Sequence, residues 1–234
     1  MIRAAMFLFM SLLALSLGLE AQEEGVFHAS RLVQDQALNT DPHSQLWRDA
    51  PAMFFDRGAD GKVVPGHRTE VRARWTPEAL YFLFTCPYAA LYSKPSPDTV
   101  GETNGLWDWD VAEIFIGADF EHIYRYREFE VSPHNEWIDL DIDSRKLNAD
   151  EQLKWDSGFT HATRIEEARK VWYAAMRIPL KSITDKPAAK GLEFRVNLFR
   201  MQGPPPKRHA LSWRPSGKAT FHVPESFGRM VLVE

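Results

Sequence analysis

The chain has 234 residues, 44% hydrophobic and 26% charged, with 28 basic and 32 acidic residues for a formal net charge of -4. This apolar share excludes an intrinsically disordered chain, and the balanced charge excludes a strongly basic nucleic-acid binder. A single cysteine, Cys86, closes no intramolecular disulfide, and eight tryptophans raise the question of what they stack on.

Met1-Ile2-Arg3 is a short positive start, Ala4 to Leu19 carries no charge, and Ala21 offers a small residue at a cleavage position. Residues 1–21 therefore read as a secretory leader, with an apolar stretch short of the roughly 20 residues of a membrane span. An uncleaved anchor is the competing reading. Residues 22–234 are expected to form one domain, secreted or periplasmic and free of the membrane once the leader is removed.

From Thr69 onward the hydrophobic period is two. Val71, Ala73 and Trp75 share one face of a strand, and Glu70, Arg72 and Arg74 the other. Leu80 to Thr85 is apolar on both faces, as a central strand should be. Further strands are expected at Val111–Ile116, Tyr124–Val131, Trp137–Ile142, Phe159–Ile165, Val171–Ile178, Leu192–Phe199 and Arg229–Val233. Short helices fit Pro179–Thr184 and Asn148–Leu153. Strands separated by turn clusters about every ten residues imply an all-β fold, an antiparallel β-sandwich or jelly roll with short helices in loops.

Four groups of residues carry candidate chemistry. The run Trp107-Asp108-Trp109-Asp110 leads from a loop onto a strand where Glu113 shares a face with Val111 and Phe115. A carboxylate among apolar neighbours needs a partner or a ligand groove, and an ion pair with Arg72 or Arg74 is the plainer alternative. Tyr124, Tyr126, Glu128 and Glu130 lie on one face of the next strand, suited to saccharide hydroxyls and ring faces or simply to solvent. Asp139, Asp141 and Asp143 present three carboxylates on one strand face, a candidate calcium set, although Ser144 stands where a helix–loop–helix calcium loop requires glycine. Of the tryptophans, Trp47, Trp75, Trp137, Trp155, Trp172 and Trp213 are expected in the core, while Trp107 and Trp109, with Trp213 as a further candidate, lie in or beside loops. The histidines lack the spacing of a zinc site, no serine sits in a nucleophile elbow, and Cys86 reads as a packed thiol.

The order of these motifs resembles the family 9 carbohydrate-binding modules and their stand-alone secreted relatives. It runs from Trp47-Arg48-Asp49-Ala50, a helix-to-loop segment, through Asp110–Ile116 and the Glu128-Phe129-Glu130-Val131-Ser132-Pro133 run. It ends with Ile178-Pro179-Leu180, Arg195–Arg200, Ser212-Trp213 and Phe221–Gly228, so that about Val33 to Val233 is covered. The resemblance implies a β-sandwich with bound calcium that grips the end of a sugar chain between two aromatic rings. It places Trp107 as the first ring, Glu113 six residues on as a hydrogen-bonding carboxylate, and Phe221 or His222 as the second ring. Glu128 and Asn197 join them as saccharide-binding residues. Relatives usually carry Trp at the second ring position and a basic residue where this chain has Glu128 and Glu130.

The function expected is thus non-catalytic binding of an oligosaccharide or polysaccharide, linked to polysaccharide breakdown, with no nucleic-acid partner. Two alternatives stand beside it. One is a glycoside hydrolase or lyase using Glu113 and Glu128. The other is a haem-binding electron-transfer sandwich using Met201 and His222, with Met53 or Met176 as further candidates.

Overall fold

A computed structural model describes residues 25–146 and 149–234. The expected leader, residues 1–21, lies outside the described residues. The strands are β1 (Val26–Arg31), β2 (Ala52–Phe55), β3 (Arg57–Gly58), β4 (Thr69–Trp75), β5 (Ala79–Pro87), β6 (Val111–Gly117), β7 (Arg125–Val131), β8 (Trp137–Asp143), β9 (Thr160–Glu166), β10 (Val171–Pro179), β11 (Glu193–Gln202), β12 (His209–Ser212) and β13 (Gly228–Val233). One helix, α1 (Ala149–Gln152), and four short 3-10 turns interrupt them, two of these elements falling where short helices were expected. No helix among the described residues is long and apolar enough to cross a membrane.

Ten of these strands form one path, β8-β7-β6-β11-β13-β1-β4-β5-β10-β9, and off it β2 pairs with β4, β12 with β11 and β3 with β12. The path folds back on itself into a nearly closed, barrel-like sandwich. Alternation decides which side chains point inward. Ala112, Ile114 and Ile116 of β6 meet Val71, Ala73, Phe82, Phe84, Trp172 and Leu198 in the central core. Three features depart from expectation. Strand β1 pairs in parallel with both β13 and β4, so the sheet is mixed rather than wholly antiparallel. Strands β1, β2, β3 and β12 were not anticipated. The stretch Asp41–Ala50 is a chain of turns, not a helix, closed by bonds such as Trp47 N to Ser44 O at 3.1 Å.

Each half of the sheet also has an outward face. In one half Tyr81, Leu83, Tyr173 and Ala175 are covered by Leu32, Leu46 and a fully buried Trp47. Trp47 is fixed there by its indole N–H, which donates to Asn39 O at 2.6 Å. In the other half Val111, Phe115, Tyr126, Leu140, Ile142 and Phe199 form a second apolar layer. Loop residues Leu106, Phe221 and Phe227 pack on it without closing it, and a groove remains.

Candidate functional site

The groove encloses about 760 Å³ over the outward face of β6, β7, β8 and β11. Its floor follows from strand parity and register. Glu113 on β6 stands directly opposite Glu130 on β7, and Phe115 opposite Glu128, so all four share one face. The neighbours across β8 are Ile138, facing Glu130, and Leu140, facing Glu128. Like charges opposed in a sheet repel, and here the repulsion is not relieved by solvent. Glu113, Glu128 and Glu130 are all buried, Glu130 completely. Both Glu130 carboxyl oxygens, Glu113 Oε1 and Glu128 Oε2 receive no donor from the rest of the protein, and Glu128 and Glu130 can hydrogen-bond each other only when one holds a proton.

Burial pushes all three carboxyls above the usual range. Glu128 rises to about 7, and the neighbouring Glu128 charge adds to the rise of Glu113. The charges of Glu113 and Glu128 act likewise on Glu130. The alternative reading of Glu113, an ion pair with Arg72 or Arg74, is not realised. Arg72 pairs with Glu70 at 2.6 Å, and Arg74 donates to Arg31 O at 3.1 Å.

Aromatic side chains form the walls. Trp107 sits in a 3-10 turn (Leu106–Asp108) that starts at Gly105, whose φ of 78° is the left-handed conformation glycine tolerates. Trp107 is 37% exposed and is the exposed tryptophan among the eight. Trp109 packs on Tyr92 with ring centres 4.6 Å apart, and Trp213 packs edge-on against Phe27 at 6.2 Å, so neither is a free loop ring. Phe221 stacks on Phe199 at 4.1 Å and 14°. His222 stacks on Phe115 at 5.3 Å, its Nδ1 lies 2.7 Å from the Tyr126 hydroxyl, and burial lowers its pKa. Trp107, Glu113, Glu128, Phe221 and His222 are thus brought to one groove.

Asn197 is not. It lies buried in β11 with its carboxamide committed to backbone, Nδ2 donating to Arg214 O at 2.9 Å and Oδ1 accepting from Arg214 N at 3.0 Å. The three aspartates do not converge either. Asp139 is buried and accepts from Ser157 N at 3.1 Å, Asp141 pairs with Arg127, and Asp143 takes Arg145 in a two-point contact at 3.0 and 2.8 Å. Among the described residues, none of the three belongs to a group of three ligand atoms close enough to share one ion. Of the methionines, Met201 borders the groove, as His222 does, whereas Met53 and Met176 are central core. Cys86 is buried and burial pushes its thiol up to about 11, so it is inert.

Three groove residues escaped the sequence reading of the site, Tyr92, Gln152 and Arg208, and a fourth, Glu130, was read on one face with Glu128 without being assigned to the ligand. Glu130 was visible as the i+2 neighbour of Glu128. The other three come from loops or the short α1, where no periodicity points to a common site. Arg208 matters most. It donates to the carbonyls of Gly203 at 3.0 Å and Trp107 at 3.1 Å, and also to that of Trp109. It lies 3.5 Å from the fully buried Asp110. Asp110 in turn accepts from Tyr92 N at 3.0 Å and Gly203 N at 2.6 Å. Loop 107–110 is therefore held from behind by one buried ion pair.

A β-sandwich whose outward sheet face carries an aromatic-walled, carboxylate-floored groove has the makings of a small-ligand binding domain. A model described as "Carbohydrate family 9 binding domain-like" matches residues 39–234, and the chain belongs to that family. An "Extracellular protein" of Arthroderma benhamiae is 26% identical over 140 residues, which make up 55% of this chain and 63% of that protein. Two solved structures of a family 9 carbohydrate-binding module from Caldicellulosiruptor kristjanssonii share the fold. One, in complex with cellotriose, has 13% identity and a TM-score of 0.63, over 89% of this chain and 93% of that one. The other, in complex with glucose, has 13% identity and a TM-score of 0.61, over 88% and 95%.

Proposed function

We propose that the groove binds a saccharide, with Trp107 stacking on a ring face and the Glu113, Glu128 and Glu130 floor meeting hydroxyls. The observation that carries this reading is the single exposed tryptophan held at the rim of a groove with buried, unpartnered carboxyls. A pyranose presents an apolar C–H face and a rim of hydroxyls, and the groove offers a surface for each. Membership of a carbohydrate-binding family and the glucose and cellotriose complexes of the structural relatives support the same ligand class. We read the protein as a binder acting outside the cytoplasm.

Hydrolysis by Glu113 and Glu128 is the weaker reading. Ligand oxygens of Glu113, Glu128 and Glu130 lie within 4.8 Å of one another on one floor. Paired glycosidase carboxyls flank the bond between them, about 5–5.5 Å or 6.5–9.5 Å apart.

Titration calorimetry with glucose, cellotriose and xylo-oligosaccharides tests the proposal. Stacking contributes roughly 0.5–1.5 kcal/mol beyond area burial, so Trp107→Ala should weaken binding by about tenfold or more. Equal heats for wild type and Trp107→Ala would remove Trp107 from the site.

A further inference from the structure

The groove floor gathers three carboxyl groups with no cation among them. Three buried carboxyls converge, and among the described residues they form the group whose ligand oxygens come within 4.8 Å of one another. Arg208 also borders the groove, but its guanidinium is spent on three backbone carbonyls and Asp110. A second, separate side chain is also left without a partner in the same groove. The carboxamide of Gln152, on α1, is buried, borders the groove and has an unpartnered Nε2. Four buried polar side chains from three elements thus face one space with bonds unmade. Leaving such groups unpaired costs about 1–3 kcal/mol each, more when they are charged, which points to an occupant that offers a cation to the carboxyls and an acceptor oxygen, such as an ion-bound water or hydroxyl, to the Gln152 N–H.

We infer that Glu113, Glu128 and Glu130 form a binding site for one divalent cation, whose remaining coordination positions face the groove. Oxygen-only donors select hard ions of the calcium, magnesium or manganese type. Such ions bind oxygen at roughly 2.0–2.6 Å, so oxygens sharing one ion stand at most about 5 Å apart, as these do. The donors come from two adjacent paired strands, which fixes their spacing. Three carboxylates leave positions for water or, on the saccharide reading above, for vicinal hydroxyls of the ligand. That last step rests on the saccharide reading; the ion site itself does not.

The first test uses manganese(II) alone on chelator-treated full-length protein, followed by calorimetry and electron paramagnetic resonance. One ion per chain is expected. Glu113→Gln and Glu130→Gln should each weaken it tenfold or more, while Asp139→Asn, outside the cluster, leaves it unchanged. The glutamine changes are isosteric and remove a buried charge, and thermal melts should show both variants folded; Glu128→Gln serves where one is not. No manganese binding at millimolar concentration, or equal affinity in the glutamine variants, overturns the site. So does binding of glucosamine hydrochloride, lost in Glu130→Gln, by a protein that ignores manganese, since the cluster would then serve an ammonium group. The second test repeats glucose and cellotriose titrations with manganese and with chelator. A fivefold or greater gain with the ion is expected. Equal saccharide affinity in both overturns coordination of the sugar. Absence of any saccharide binding sinks the saccharide reading and leaves the manganese titration to decide the ion site.

Discussion

The guanidinium of Arg208 donates to the carbonyl of Trp107 at 3.1 Å, across 101 positions of sequence. The exposed ring is thereby tied to the loop after β11, and through Asp110 to Gly203 and Tyr92. A rim aromatic that must stack on a ligand loses affinity if it has to be ordered at the moment of binding, and this fastening removes that cost in advance. Arg208→Met should therefore free loop 107–110. Saccharide affinity is expected to fall about tenfold, and acrylamide quenching of tryptophan fluorescence to rise. Unchanged heats and unchanged quenching would show that the loop holds itself.

Asn197 gives a contrasting expectation. Its carboxamide closes the Arg214 backbone onto β11 from a fully buried position. Asn197→Ala deletes hydrogen bonds worth roughly 0.5–1.5 kcal/mol each, for a loss on the order of 2 kcal/mol in urea denaturation. At temperatures where the variant is folded, saccharide affinity should match wild type. A variant of wild-type stability that no longer binds ligand would return Asn197 to the site.

These two residues show where sequence was informative and where it was not. Alternation placed Val71, Ala73 and Trp75 on one face, and all three are core. It also put Glu128 beside Glu130 and Glu113 beside Phe115. That pattern is local, carried by each strand alone. What alternation lacks is register. Only the pairing of β6 with β7 sets Glu113 against Glu130 and turns two unremarkable carboxylates into one crowded cluster. The family resemblance alone marked Asn197 as a ligand group. Its partner is backbone from a loop seventeen residues away. Arg208, Gln152 and Tyr92 lie in irregular or very short segments whose approach to the groove no local pattern encodes. The same holds for the aspartates of β8. Their shared face was legible, but Arg127 and Arg145, which take up two of them, were not.

His161 supplies a pH dependence. It is packed against Trp137 and Phe159, and its Nδ1 lies 3.0 Å from Asn135 Oδ1. Burial lowers its pKa from 6.5 to about 4. Between these values the unfolded chain takes up a proton that the folded chain refuses. Folding stability should thus decline as pH falls from about 6.5 toward 4, and this contribution should level off below 4. His161→Gln removes it. Denaturant titrations at several pH values should give a shallower acid slope for the variant; parallel slopes would exclude His161 as the source.

Gly228 opens β13 at the point where the fold closes. A Cβ there would stand 2.6 Å from Trp213 Cη2, 2.8 Å from Cζ3 and 2.7 Å from the carbonyl oxygen of Gly25. The last contact is backbone, next to the start of β1 and bonded to Arg229 N at 2.9 Å, so it cannot turn aside as a side chain would. The Trp213 ring is itself wedged against Phe27. Gly228→Ala should accordingly force both to shift, with an overpacking cost of roughly 1–3 kcal/mol. The effect should show as a lower midpoint in urea with little change in slope, because the surface exposed on unfolding stays the same. Trp213→Phe, which shortens the ring that faces this position, should recover part of the loss in the double variant. A double variant no more stable than Gly228→Ala would place the whole cost at the Gly25 carbonyl.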